Sequence, residues 1–251
     1  MENEELIRRH FVDMANRAYN RDIVVYSDFL NLNELHSLQY LKMDDLGVTL
    51  RLSGGYEEAE RQIAAFLPDA FVLCENLDFP IRCIAIRPLN ARFSEDLTHR
   101  DYLGALMHLG IERSCLGDIL LQDQTAYVFC LSKMADLICR ELTRIRHTSV
   151  MATVEELNEI PRPKYKEISG TVSSVRLDSV LAVAFGLSRS KAIPYIEGGQ
   201  VYVNARLVTS NGYTLHPNDL ISVRGLGKFR YLDTTSQSKK GKYWINIQRF
   251  V

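Results

Sequence analysis

The sequence predicts an α+β chain built as three folded segments: a small α/β segment over residues 1–68, a strand-rich central segment over 69–155, and a helix–helix–strand segment over 168–251. Helix-like and strand-like periods follow one another along the first 155 residues. Glu155 to Glu167 then holds Pro161, Pro163 and seven charged residues in thirteen, the composition of an exposed linker, placed at 156–167. Charge changes sign across that linker. Residues 168–251 carry 11 Lys and Arg against 4 Asp and Glu, and the preceding residues carry 19 against 27, although the whole chain stands at −1. A cationic surplus confined to one segment points to a polyanionic partner for it.

In the first segment, Glu4 to Tyr19 places Leu6, Ile7, Phe11, Met14, Ala15 and Ala18 on one helical side. An extended apolar run follows at Asp22 to Leu30, then a second helix at Asn33 to Met43. Val48 to Leu52 alternates like a strand and ends at Gly54-Gly55, before a helix expected over Glu57 to Phe66. Gly54-Gly55 lacks the Lys-Ser/Thr of a phosphate loop and the third Gly of a dinucleotide fingerprint, so it reads as a turn. Pro68 closes the segment.

The central segment opens with strands at Phe71 to Cys74 and Ile81 to Arg87. A helix over Thr98 to Leu109 has Thr98 as N-cap and Asp101 three residues on, a relative of the capping box. Strand Ile119 to Leu121, the tight connection Asp123-Gln124, strand Ala126 to Leu131, helix Lys133 to Arg146 and strand Val150 to Val154 complete it. Strand-helix-strand-strand-helix-strand is the order of a ferredoxin-like domain, which RNA-recognition motifs also use. Tyr127 and Phe129 make one face of its strand aromatic, although such side chains are sparse on this sheet.

In the last segment, Arg176-Leu177-Asp178 leads into an apolar helix (Val180, Leu181, Val183, Ala184) that turns at Phe185-Gly186-Leu187. A second helix starts at Ser188-Arg189-Ser190-Lys191, with Ser188 as N-cap, and stops at Gly198-Gly199. Its first turn sets Arg189 and Lys191 beside open backbone N–H groups, a natural place for phosphate. Pro194 removes a backbone donor inside this helix and should cost stability or bend it. Strands follow at Val201 to Asn204, Leu220 to Arg224 and Tyr243 to Phe250, and Lys239, Lys240 and Lys242 could form a basic hairpin tip. With Leu181, Ile196, Gly199, Val203, Asp219, Ile221, Val223 and Gly225 at their spacings, this succession resembles the alpha-L RNA-binding domain shared with ribosomal protein S-four. The RNA contacts expected are Arg176, Ser188, Arg189, Ser190, Lys191, Asn204, Arg206, Arg224 and Lys228.

Catalytic signatures fail on inspection. His99-Arg100-Asp101 copies a kinase tripeptide, but Leu106 stands where a metal-binding Asn is needed and no Gly-rich loop precedes it. Its residues His99 and Arg100, with Arg113, are expected as an auxiliary RNA or ribosome contact. Arg176-Leu177-Asp178 echoes the Arg-Leu-Asp of pseudouridine synthases, yet it lacks their flanking Gly and Thr, so Asp178 reads as a helix-start residue holding Arg176 or capping backbone donors. Five cysteines form no Cys-x-x-Cys pair and read as buried thiols; six histidines show no metal spacing. No catalytic residue, cofactor or metal is expected. The acidic Met1-Glu2-Asn3-Glu4-Glu5 start and the lack of an apolar run of roughly 18 residues suit a cytoplasmic protein with no membrane partner.

Gly54-Gly55-Tyr56-Glu57-Glu58-Ala59-Glu60-Arg61, His99-Arg100-Asp101-Tyr102-Leu103-Gly104-Ala105-Leu106, Leu109-Gly110-Ile111 and Gly117-Asp118-Ile119, with the alpha-L segment, resemble the YlmH family of bacterial RNA-binding proteins over nearly the whole chain. The resemblance implies binding of rRNA or tRNA on the large ribosomal subunit in rescue of stalled translation, and genes beside those for cell division, hence possible cell-division partners. Two function classes remain from the residues: a non-catalytic RNA-binding protein, or an RNA-modifying enzyme whose alpha-L domain delivers substrate.

Overall fold

A computed structural model describes residues 2–74, 77–156, 165–237 and 241–250. Most of the expected linker (157–164), and Lys239 and Lys240 of the expected basic tip, lie outside the described residues. The chain divides into two compact units, Met1–Pro161 and Arg162–Val251. No helix among the described residues is long and apolar enough to cross a membrane.

Unit 1 begins with α1 (Glu2–Arg21), which buries Phe11, Met14, Ala15 and Ala18. Strand β1 (Val25–Leu30), α2 (Leu32–Gln39), β2 (Thr49–Ser53) and β3 (Gln62–Leu67) follow, and the strands form an antiparallel sheet in the order β1-β3-β2. Asn31 accepts from the backbone N–H groups of Asn33 and Glu34, and the Glu34 carboxylate accepts from the Asn31 N–H, a full capping box for α2. The helix expected over Glu57 to Phe66 is not formed. Glu, Ala, Arg and Gln favour helix locally, but Ile63 to Leu67 are wholly buried as the middle strand between two partners, and that burial outweighs propensity.

The central sheet contains β4 (Ile81–Pro88), β5 (Leu116–Gln122), β6 (Thr125–Leu131), β7 (Arg144–Ile145) and β8 (Thr148–Glu155), with α3 (His99–His108) and α4 (Ala135–Glu141) between them. Its order, β5-β6-β4-β8-β7 with every pair antiparallel, is the ferredoxin-like arrangement plus one short edge strand. The Asp101 carboxylate receives both the Thr98 N–H (2.9 Å) and the Thr98 hydroxyl (2.7 Å), fixing the start of α3. Two expectations fail. The strand expected over Phe71 to Cys74 is not formed, Asp69–Phe71 being a single 3₁₀ turn that leads into a further turn, and α4 stops at Glu141 because the chain turns into β7.

One junction joins the two sheets of unit 1 around a single core that includes Phe29 and Ile63 beside Ile84, Val128 and Phe129. Asp118 accepts from the Tyr56 hydroxyl (2.7 Å) and from the backbone N–H groups of Glu60 (2.7 Å) and Arg61 (3.2 Å). The Arg61 guanidinium donates to the carbonyls of Leu116, Phe29 and Arg113. Close approach here requires glycine: a Cβ on Gly117 would lie 2.7 Å from Phe29, and one on Gly55, at φ +92°, 2.6 Å from Phe129. Gly54-Gly55 is thus a packing turn.

Unit 2 consists of β9 (Tyr165–Val172), α5 (Leu177–Phe185), α6 (Arg189–Glu197), β10 (Val201–Val203), β11 (Arg206–Leu207), β12 (Leu220–Val223), β13 (Gly227–Gln237) and β14 (Tyr243–Phe250). Tyr165 to Glu167, expected in the linker, instead begin β9, which pairs along its whole length with β14. The six strands are antiparallel in the order β11-β10-β12-β13-β14-β9. Leu177, Leu181, Ala192 and Ile196 of the helices share a core with Val201, Val203, Ile221, Val223, Phe229, Ile245 and Ile247, so both helices cover one sheet face. Helix α6 runs through Pro194, which loses one intrahelical bond near the exposed C-terminal end.

Replacing Asp118 with Ala is expected to lower the stability of unit 1 by about 2–4 kcal/mol, because it strands three donors and the Arg61 charge. Tyr56→Phe, which removes one donor, is expected to cost only about 1 kcal/mol. Urea unfolding followed by circular dichroism measures both, and equal losses from the two variants would contradict the assigned role of Asp118.

Candidate nucleic-acid interface

The two helices of unit 2 are fixed by local chemistry. Helix α5 starts behind an extended Arg176 and ends at Gly186, whose φ of +63° a β-carbon would strain. The Leu187 N–H then donates to the Ala182 carbonyl at 2.9 Å, and Ser188 reverses the chain into α6 in extended conformation. Ser188 stands at the N-cap, but its hydroxyl meets the Ser190 hydroxyl at 2.9 Å and makes no side-chain cap bond.

At this turn the structure builds an arginine fork. The Asp178 side chain is only 1% exposed, and its Oδ2 accepts from Arg189 at 2.5 Å and from Arg176 at 3.3 Å. Ser179 donates to Oδ1 at 3.2 Å. The side chains of Arg176 and Arg189 are 41% and 55% exposed, so each still presents donors to solvent. Burial opposes ionisation of Asp178. The hydrogen bond and charge of Arg189, the charge of Arg176 and the Ser179 hydroxyl outweigh it and hold the pKa below the usual carboxylate value. Ser190 and Lys191 are exposed one and two residues beyond Arg189. Arg176, Ser188, Arg189, Ser190 and Lys191 therefore form one cationic, hydroxyl-bearing patch.

The remaining expected contacts are distributed differently. Register puts Tyr202, Ser222 and Lys228 in one row, opposite to the Val203, Ile221 and Phe229 row that the helices cover. Lys228 thus faces away from the fork, with its ammonium 4.9 Å from the Phe250 ring centroid. Arg224 lies over the Tyr202 ring at 5.5 Å, on that same reverse face. Arg206 is exposed on the short edge strand β11. Asn204 is committed internally: with Ala205 it forms a turn of positive φ, its amide donates to Asp219 at 2.8 Å, and its Oδ1 accepts from the Leu220 N–H at 2.9 Å.

In unit 1, His99 and Arg100 are exposed at the start of α3. Arg113 is turned inward and donates to the carbonyls of Leu116 (2.6 Å) and Gly117 (3.1 Å). Burial, reinforced by the nearby Arg61 charge, pulls its pKa down to about 10. Desolvation and the Arg113 charge also lower the pKa of His99. Arg113 thus serves as a strut of the Asp118 junction while its charge acts on His99. Phe129 is likewise withdrawn from any base-stacking role, since it is fully buried with its ring centroid 5.0 Å from that of Tyr56.

Among the described residues, no group of three or more His, Cys, Asp or Glu side chains could hold a metal ion. Cys83, Cys115 and Cys130 are buried thiols, and burial pushes Cys83 and Cys130 up to about 12; Cys74, in contrast to expectation, is exposed.

Three family models match the chain: "YlmH, N-terminal" over residues 2–69, "Putative RNA-binding domain in YlmH" over 74–159 and "S4 domain" over 175–221. The chain is 31% identical over 204 residues to Ribosome-associated protein quality control protein P2 of Bacillus subtilis (strain 168), across 80% of this chain and 78% of that protein. The solved structure of Cell division protein ylmH from Streptococcus pneumoniae superposes with a TM-score of 0.52 at 21% identity, covering 63% of this chain and 94% of that one, a likeness of fold.

The Asp178 geometry sets a pH dependence. A carboxylate whose folded pKa is depressed contributes stability above its unfolded pKa of about 3.9 and loses it as pH falls through the folded value. Asp178→Asn is expected to be less stable than the parent chain by about 1–3 kcal/mol at pH 7. That difference should shrink on acidification below about pH 4. Denaturant melts at pH 7 and pH 3 check it, and a constant difference would show that the ionised form does not hold the fork.

Proposed function

From the premise that this chain belongs to the YlmH family, we propose that it is a non-catalytic RNA-binding protein that works on the ribosome. The single observation that carries the reading is the arginine fork. Two guanidinium groups, fixed by one buried carboxylate and followed by an exposed lysine, sit on the unit that holds the cationic surplus. Arginine's planar donors suit bidentate contact with phosphate, and holding them in place beforehand reduces the conformational entropy lost on binding. The B. subtilis relative is named for ribosome-associated quality control, which supports a ribosomal RNA or tRNA as the ligand. The finer reading is binding at the large subunit, in the cytoplasm, during rescue of stalled translation. A link to cell-division proteins rests on the name of the streptococcal structure.

The enzyme alternative would place turnover in unit 1 and use unit 2 to deliver the RNA; the carboxylate of unit 2 that echoes a catalytic one is Asp178. That carboxylate is 1% exposed and held by two arginines and a serine, which suits positioning and not attack on a substrate. Binding without turnover is the reading that this arrangement supports.

Replacing Arg189 and Lys191 together with Ala is expected to weaken binding to structured RNA regardless of its sequence. It should also lower the slope of log affinity against log salt by about 0.7–0.9 for each phosphate that the variant no longer neutralises. Anisotropy titrations at several salt concentrations measure both quantities, with a thermal melt run alongside because Asp178 loses one of its partners. An unchanged slope in a folded variant would remove the fork from the interface.

A further inference from the structure

Beside the fork lies a cleft of about 280 Å³, bounded by the end of β9, one side of α5, the Gly186-Leu187 turn, Arg189 and Lys242. Its chemistry is divided. Arg189 and Lys242 bring positive charge, Ser173 and Ser179 bring hydroxyls, and Val183 and Leu187 form an apolar wall. No carboxylate is among the described residues lining it. Asp178, the nearest acid in sequence, is turned to its arginines and to Ser179.

A site with cations and the Ser173 hydroxyl on one side and aliphatic surface on the other suits an anion that carries a flat, weakly polar body. A nucleoside phosphate has that form. The volume falls just under the range of about 300–1,000 Å³ typical of sites that enclose small molecules, so there is room for one such unit and not for a stacked run. Arg189 can serve fork and cleft together, because a guanidinium carries five N–H donors and Asp178 occupies one nitrogen. A base inside an A-form helix is stacked and paired and cannot enter; one at a bulge or in a loop can be splayed out at little cost.

Resting on the RNA-binding reading above, we propose that this cleft takes one unpaired nucleotide of the bound RNA. Its phosphate sits between Arg189 and Lys242, and its base lies against Val183 and Leu187. The fork would then supply affinity common to all structured RNA, and the cleft a preference for helices interrupted by an unpaired residue.

The test uses the full chain and two RNA hairpins that differ only in a single bulged nucleotide, made with each of the four bases. The parent chain is expected to bind the best bulged hairpin about tenfold more tightly than the paired one, or about 1.4 kcal/mol. Ser173→Trp places a large ring over the cleft from an exposed position. It should abolish the preference while leaving affinity for the paired hairpin within about twofold of the parent. Lys242→Ala, which adds no bulk, should reduce the preference and serves as the second variant if Ser173→Trp folds poorly. Equal binding of both hairpins by the parent chain, or a preference that survives both substitutions, overturns this proposal and leaves the RNA-binding reading standing. Failure to bind either hairpin overturns both readings. Adenosine and guanosine monophosphates form a separate arm: saturable binding of a free nucleotide that displaces neither hairpin would assign the cleft to a free ligand and overturn the RNA nucleotide as its occupant.

Discussion

A carboxylate taken wholly or partly out of water needs donors around it, and each unit of this protein is organised around one, half-buried Asp118 in unit 1 and buried Asp178 in unit 2. Asp118 collects the Tyr56 hydroxyl and two backbone N–H groups from the turn before β3. That turn belongs to the N-terminal sheet and Asp118 to the central one, so a single side chain sets how the two sheets meet. Glycines at 55 and 117 are required there because Phe129 and Phe29 fill the space a β-carbon would occupy. Arg61 and Arg113 complete the junction by donating to carbonyls that the packed sheets would otherwise leave dry.

In unit 2 the same requirement is met by cations, with a different consequence. Asp178 is buried, and the groups that compensate it are the two arginines whose far sides face solvent. The ion pairs restrict the guanidinium groups to the start of the helical pair, on a six-stranded sheet whose other face carries Lys228 and Arg224. Positive charge is thus present on both faces, and the helix side combines it with a carboxylate support and an adjoining cleft. A ligand with a repeating negative charge would be drawn to the whole unit and held in register by the fork.

Much of this is legible in the chain itself, because it is written in local punctuation. Gly186, Gly198 and Gly199 stop the helices where expected, the Asp101 cap sits three residues after Thr98, and the strand-helix order of the central segment is the ferredoxin-like one observed. The errors share one cause. Gln62–Leu67, where Gln62, Ala64, Ala65 and Leu67 favour helix, becomes a strand because two neighbours bury it; the start of β9 reads as linker because its β14 partners, Phe250 for Tyr165 and Gln248 for Glu167, lie more than eighty residues away in sequence. Polar residues in extended segments look alike whether they face solvent or another strand.

Segment order, the sign of charge in each part, and the short stretch that holds arginines beside an aspartate all follow from the amino-acid order, since they depend on composition and on spacing within a few residues. How those residues are used follows from packing. Asn204 is tied by hydrogen bonds to Asp219 and Leu220, Arg113 became a strut of the Asp118 junction, and Lys228 fell on the sheet face opposite the fork. The physical reason is that period-two alternation assigns a strand residue to one of two faces, but which face is covered depends on elements distant in sequence, and burial then decides whether a polar group serves the fold or remains exposed for a ligand.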